Sequence, residues 1–222
     1  MNLDTYLVTD DGLSGDRSTP EVVEAAIAGG VDVVQLREKG TSARSRYELG
    51  SELRELTRAG DVPLIVNDRV DIAAAVDADG VHLGDEDLPV AEAREQLGPN
   101  AVIGRSVSTV EEARAAERGG ADYLGVGAIF ATDSKETDSE QSELGVERVR
   151  RINEAVEVPF VAIGGVTPAN ASDVVAAGAD GVAVISAVTG ADDPEAATRA
   201  LNEAVMTGKQ SRNRDRGDGH NG

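Results

Sequence analysis

Eight short apolar runs, each the length of one strand and each followed by a helix-like pattern, constrain this 222-residue chain more than any other feature. The runs are Thr5–Thr9, Val31–Arg37, Pro63–Asn67, Gly80–Leu83, Ala101–Arg105, Tyr123–Ile129, Pro159–Gly164 and Gly181–Ile185. Between them apolar residues recur at the helical spacing of about 3.6, as in Val22-Val23-Ala26-Ile27. Ser18-Thr19-Pro20-Glu21 and Thr167-Pro168-Ala169 open two such patterns with a cap residue and a helix-compatible proline. Strict alternation of strand and helix predicts a parallel sheet, and eight units in this length predict closure. The expected fold is α/β, a (βα)8 TIM barrel in one domain over residues 1–206.

An internal repeat sharpens that expectation. Gly30-Val31-Asp32-Val33, Ala78-Asp79-Gly80-Val81, Gly120-Ala121-Asp122-Tyr123 and Gly178-Ala179-Asp180-Gly181 introduce the second, fourth, sixth and eighth runs. Two of the odd runs enter through Val62-Pro63 and Val158-Pro159. A helix C-cap followed by a turn accounts for one such phrase. Recurrence at every second strand fits a barrel whose inward layers come from alternate strands. Residues 131–143 form a polar connection longer than usual βα loops and are expected to act as a lid. Residues 207–222 have almost no apolar side chains and are expected to form a disordered tail.

Charge narrows the partners. The formal net charge is -20, which repels nucleic-acid backbones and predicts no nucleic-acid partner. No apolar run approaches the roughly 20 residues of a membrane span, and Met1-Asn2-Leu3-Asp4 does not begin a signal peptide, so a cytoplasmic protein is expected. Cysteine is absent, which removes thiol nucleophiles and thiolate metal sites. Abundant carboxylates, arginine in place of lysine and few aromatics predict adaptation to high salt, where the Debye length is about 3 Å at 1 M. Only three lysines are present, and Lys39 and Lys135 both lie in loops after strands. Ammonium groups kept at such places point to phosphate or pyrophosphate.

Active sites of these barrels lie where the strands end. The second strand ends in Gln35, Arg37 and Lys39, the third in Asn67-Asp68-Arg69. The fourth runs through His82 into Asp85, Glu86 and Asp87, and the fifth ends in Arg105-Ser106. Thr132, Ser134 and Lys135 follow the sixth, Gly164-Gly165 ends the seventh, and Ile185-Ser186 ends the eighth. Cations facing carboxylates suit a magnesium diphosphate, because Mg²⁺ takes a few carboxylate oxygens and leaves room for phosphate. The glycine-rich seventh end with Ser186 suits a second phosphate held by backbone N–H groups. Competing structural readings are a surface ion pair at Arg37–Glu38, a helix N-cap at Asp68 or Asp71, a tight turn at Gly164-Gly165 and a packed, orienting His82. Spacing alone does not select a ligand among Asp85, Glu86 and Asp87.

These segments together resemble the thiamine-phosphate synthase family. The resemblance runs from Tyr6-Leu7-Val8-Thr9-Asp10 to Ile185-Ser186 and rests most on Gln35-Leu36-Arg37-Glu38-Lys39, Val66-Asn67-Asp68-Arg69, Val81-His82-Leu83-Gly84 with Asp87, and Ala162-Ile163-Gly164-Gly165. It implies a transferase that joins hydroxymethylpyrimidine diphosphate to a thiazole phosphate, releasing pyrophosphate. It also implies that Gln35, Arg37, Lys39 and Asn67 hold the diphosphate substrate, with Ser106 and Lys135 facing it, and that Asp68 and Asp87 bind Mg²⁺. Arg37, Lys39, Ser106 and Lys135 would carry catalysis. Thr132, Ser134, Gly165, Ile185 and Ser186 would hold the thiazole phosphate. Ala128 and Ala131 stand where the family usually has prolines, and Ser134 where it has threonine. The alternatives are a thiazole tautomerase of the same barrel family, which needs no diphosphate grip, another phosphate-binding barrel such as a sugar-phosphate epimerase, and a non-catalytic barrel that binds precursors. A homo-oligomer is compatible with all of them.

Overall fold

A computed structural model describes residues 1–130 and 142–218. The first half contains β1 (Thr5–Val8), α1 (Thr19–Ala28), β2 (Val33–Leu36), α2 (Ala43–Ala59), β3 (Leu64–Asn67), α3 (Val70–Ala75), β4 (Gly80–Leu83) and α4 (Val90–Leu97). The second contains β5 (Val102–Val107), α5 (Val110–Arg118), β6 (Tyr123–Val126), α6 (Ser142–Asn153), β7 (Phe160–Ile163), α7 (Ala171–Ala176), β8 (Gly181–Val184), the short α8 (Ser186–Thr189) and α9 (Pro194–Asp218). All eight strands are parallel and close in sequence order, with Tyr6 of β1 opposite Ala183 of β8. The (βα)8 barrel expected from the alternation is therefore the fold.

Period-2 alternation sorts the strand residues into two cores. Tyr6, Val8, Val33, Ile65, Tyr123 and Val161 fill the barrel interior. Leu7, Val34, Leu36, Leu64, Val66 and Leu124 face outward into a larger cluster that the helices complete. Each apolar side chain buried this way stabilises the fold by about 1.5–3 kcal/mol before chain entropy is charged against it. Helix starts are set locally: Ser18 with Glu21, and Thr109 with Glu112, form reciprocal capping boxes on α1 and α5.

The repeated aspartates have a common job. Oδ2 of Asp32 accepts from the N–H of Thr5 (3.0 Å), and Oδ2 of Asp79 from Leu64 (2.8 Å). Oδ2 of Asp122 accepts from Ile103 (2.7 Å), and Oδ2 of Asp180 from Phe160 (3.0 Å). Each donor lies at the start of the preceding odd strand, and each aspartate returns its own N–H to that residue's carbonyl, at 2.8–3.0 Å. The sheet's first rung at the N-terminal rim is thus stitched strand pair by strand pair. Arg54 and Arg94 add ion pairs to Asp79 and Asp122.

The chain beyond residue 206 differs from expectation. Helix α9 continues to Asp218, so residues 207–218 are helical instead of disordered. Its polar side chains find partners that composition does not reveal. Lys209 pairs with Asp4, and Arg212 donates to the carbonyls of Gly178 (3.0 Å) and Ala179 (3.2 Å). Gly208 lets α9 lie against α7, where a Cβ would stand 2.8 Å from that of Val175.

Candidate active site

Strand ends at the C-terminal rim surround a cavity of about 570 Å³. Gln35, Arg37, Lys39, Asn67, Asp68, Ser106, Gly165, Ile185 and Ser186 all lie on its wall, on five different strand ends. Asp87 stands just behind, beside Asp68, with its Oδ2 accepting from the N–H of Gly84 at 2.6 Å. Thr132, Ser134, Lys135 and all of the expected lid over 131–143 except its last two residues, which begin α6, lie outside the described residues.

On the cationic side, Arg37 leaves β2 and donates from Nη1 to Oδ2 of Asp10 at 2.7 Å. The neighbouring Glu38 is buried and does not pair with it. Its Oε1 accepts from the hydroxyls of Thr9 (3.0 Å) and Thr19 (3.2 Å), and its Oε2 from the N–H of Asp11 (3.1 Å). Thr9 Oγ1 in turn accepts from the N–H of Arg37 at 3.0 Å. The β2 end is thereby tied to the loop after β1, and Arg37 and Lys39 follow from that hydrogen-bonded base. A surface ion pair at Arg37–Glu38 is not formed.

On the anionic side, Asp68 takes a left-handed φ of 63° immediately after β3, a conformation Asp tolerates better than most residues. Its N–H donates to the carbonyl of His82 at 2.8 Å, which fixes the turn against β4. Burial, then the adjacent Asp87 carboxylate, push the Asp68 pKa up, while Lys39 and Arg37 oppose the rise. Neither Asp68 nor Asp71 caps α3; Arg69 occupies the cap position, and Asp71 pairs with it. Two crowded carboxylates facing two cations fit a divalent ion carrying phosphate oxygens. No cluster of three or more His, Cys, Asp or Glu suited to a metal occurs among the described residues.

Opposite the carboxylates, β7 ends in Gly164 and Gly165 with φ of 97° and 63°. A Cβ on Gly164 would come within 2.7 Å of the Cβ of Ala128, so only glycine allows the β6 and β7 ends to approach there. Gly164 and Gly165 line the cavity together with Ile185 and Ser186.

The floor of the cavity is polar yet buried. Gln35 Nε2 donates to the Tyr6 hydroxyl (2.7 Å), which lies 2.7 Å from the Tyr123 hydroxyl. Tyr123 meets His82 Nδ1 at 3.0 Å, and His82 Nε2 meets Ser106 Oγ at 2.9 Å. Burial, with help from Arg105, depresses the His82 pKa to about 4, so the imidazole is neutral near pH 7. His82 is accordingly a packed, orienting residue. Sequence reasoning missed Tyr6, Tyr123, Asp10 and the buried role of Glu38. A signal was available for the tyrosines: aromatics make up only 2% of the chain, and two of the three tyrosines sit in strands.

A second cavity of about 550 Å³ opens at the N-terminal rim, where both Nη atoms of Arg54 donate to Asp79. It offers no comparable convergence of free charges.

The family model described as thiamine monophosphate synthase matches residues 5–188, from the first strand through nearly the whole of α8. The chain belongs to that family. Among its relatives, a thiamine-phosphate synthase from Natronomonas pharaonis is 68% identical over 200 residues, covering 90% of this chain and 94% of the relative. Another from Haloarcula marismortui is 63% identical over 210 residues, covering 94% and 100%. A solved thiamine phosphate pyrophosphorylase from Pyrococcus furiosus superposes with a TM-score of 0.84 at 45% identity, covering 93% of this chain and 97% of that one. As a member of this family the chain is a transferase. No helix among the described residues is long and apolar enough to cross a membrane.

Proposed function

We propose that the chain condenses hydroxymethylpyrimidine diphosphate with a thiazole phosphate, giving thiamine phosphate and pyrophosphate, in the cytoplasm and with Mg²⁺. One observation carries the reading: Arg37, Lys39 and Asp68 line one cavity, with the Asp87 carboxylate against Asp68. Family membership and the relatives' names support the reaction. The cationic and carboxylate groups support the diphosphate.

The bond between the pyrimidine methylene carbon and the diphosphate oxygen breaks, and a bond from that carbon to the thiazole nitrogen forms. Departure of pyrophosphate builds negative charge on oxygen. Arg37 and Lys39, held in a partly desolvated cavity, stabilise that charge more than water would. Asp68 and Asp87 would hold a magnesium ion, which when bound supplies further positive charge to the diphosphate. Gln35 and Ser106 present hydrogen-bonding groups from the floor to the pyrimidine, and Asn67 contributes an amide beside Asp68. Backbone N–H groups near Gly165 and Ser186 suit the phosphate of the second substrate. The thiazole nitrogen attacks with an existing lone pair, so no strong base is required, and a dissociative route fits the electron-rich aminopyrimidine. Neutral His82, with both ring nitrogens occupied by hydroxyls, agrees with the lack of a base.

A net charge of -20 leads us to propose that folding and turnover need molar salt, in keeping with relatives from halophilic archaea. The test is thiamine phosphate formation from the two substrates with Mg²⁺, in molar and dilute salt. Product in molar salt that vanishes with EDTA supports the reading. Thiazole isomerisation without condensation would replace it with the tautomerase. Full stability in dilute buffer would remove the salt requirement.

A further inference from the structure

The floor contacts form one unbroken chain: Gln35 Nε2, Tyr6 O–H, Tyr123 O–H, His82 Nδ1, His82 Nε2 and Ser106 Oγ. Its ends, Gln35 and Ser106, both lie on the cavity wall, and Tyr6 and Tyr123 are each 1% exposed. Space for it is made by two glycines. A Cβ on Gly104 would collide with Tyr123 Cζ and His82 Nδ1, and one on Gly125 would stand 2.9 Å from His82 Cε1.

Such a chain has a direction. A tyrosine hydroxyl has one proton to give, and a neutral imidazole has one N–H. Gln35 presents N–H to Tyr6. Tyr6 then gives its proton to Tyr123, and Tyr123 gives its own to His82 Nδ1. The imidazole must carry its proton on Nε2 and donate it to Ser106 Oγ, which leaves the serine proton turned toward the cavity. Any break in this order leaves a buried hydroxyl with two donors and no acceptor, an arrangement buried polar groups avoid. Turning the Gln35 amide over would reverse every member: Ser106 would give its proton to His82 Nε2 and could only accept a hydrogen bond from the substrate side.

We propose that Gln35, acting through Tyr6, Tyr123 and His82 as positioning residues, holds the Ser106 hydroxyl as a hydrogen-bond donor to the bound substrate. This rests on the condensation reading for what occupies the cavity, but the direction of the chain can be measured without turnover.

The full chain has two histidines, His82 and His220, so ¹⁵N-histidine NMR resolves them, with a His220→Gln variant giving the assignment. The expected spectrum has His82 protonated on Nε2 and bare on Nδ1; protonation on Nδ1 would overturn the proposal. Gln35→Glu offers Tyr6 an acceptor in place of a donor and is expected to move the His82 proton to Nδ1. An unchanged tautomer in the folded variant would show that Gln35 does not set the direction. In turnover, Tyr123→Phe is expected to lower kcat about tenfold, the effect of one well-aimed hydrogen bond, with KM little changed. In a Ser106→Ala background the same substitution should cost nothing more, whereas a full additional loss would mean the tyrosine acts independently of Ser106. If either variant fails to fold, the unsubstituted protein's spectrum still decides. Absence of condensation with the Nε2–H tautomer intact would sink the proposed reaction and leave the chain's direction standing.

Discussion

The two rims of this barrel spend carboxylates in opposite ways. At the N-terminal rim Asp32, Asp79, Asp122 and Asp180 each accept a backbone N–H from the strand before. At the C-terminal rim Asp68 is buried next to another carboxylate, Asp87. Burial pushes the pKa up at both Asp32 and Asp68. At Asp32 the first compensation is a peptide N–H within the fold, whereas at Asp68 the neighbouring carboxylate adds to the penalty and only Lys39 and Arg37 offset it. The lower charges therefore complete the fold, and the upper ones fit the metal diphosphate proposed above. Repetition marks the first kind, since every strand pair needs the same stitch. Convergence of unlike residues from different strands marks the second.

The largest expected effect separates the rims outright. Arg37→Ala should lower turnover by about 10²–10³, as loss of a charge-stabilising group does elsewhere, and leave the unfolding midpoint within a few degrees. Its ion pair to Asp10 still reaches solvent, the two side chains being 19% and 30% exposed. Parallel kinetics and thermal melts check this; a variant that unfolds would place Arg37 with the structural charges. The buried floor between the rims comes next. His82 is held near pKa 4 by burial against an ordinary 6.5. The unfolded chain takes up that proton as pH falls below about 6.5, and the folded chain resists until about 4, so stability is lost across that window, by up to about 3 kcal/mol. Denaturant melts at pH 7 and pH 5 measure it, and a His82→Gln variant should show a shallower pH slope. Smaller still, Asp122→Ala should cost about 1–3 kcal/mol, because it orphans the Ile103 N–H and breaks the Arg94 pair. Turnover of the folded fraction should not change; a comparable loss in kcat would erase the distinction between the rims. Asp180→Ala, which loses the Phe160 stitch, is expected near the lower end of the same range, about 1 kcal/mol.

Most of the fold was legible because its signals are local. Strand-length apolar runs, helix caps and the aspartate phrase repeated before every even strand place each strand to within a few residues of its final bounds. The C-terminal wall was legible for a related reason: Gln35, Arg37, Asn67 and Ser106 each end a strand, and barrel geometry brings strand ends together. What the sequence hid are contacts between residues far apart along the chain. Tyr6 and Tyr123 meet across the barrel interior, and Arg37 reaches back to Asp10. Glu38 reads as half of a local ion pair because Arg37 precedes it, yet the hydroxyls of Thr9 and Thr19 claim it. Residues 207–218 read as solvated tail because apolar residues are missing, while Lys209 and Arg212 anchor a helix through polar contacts to Asp4 and to the turn before β8. Each miss is a polar group whose partner lies in another unit of the barrel.

The central claim is that the Asp68–Asp87 pair at the upper rim awaits a metal diphosphate. The most direct measurement is the shift in melting temperature that Mg²⁺ with pyrophosphate gives the full chain and its Asp68→Asn variant in molar salt. Ligand binding to the folded state raises stability by mass action, so the unsubstituted protein should melt higher with the ligand. The variant, relieved of like-charge crowding, should melt at least as high as the unsubstituted protein without ligand and gain little from it. Equal ligand shifts in both proteins would contradict the account, because the carboxylates at the upper rim would then have no part in holding the metal diphosphate.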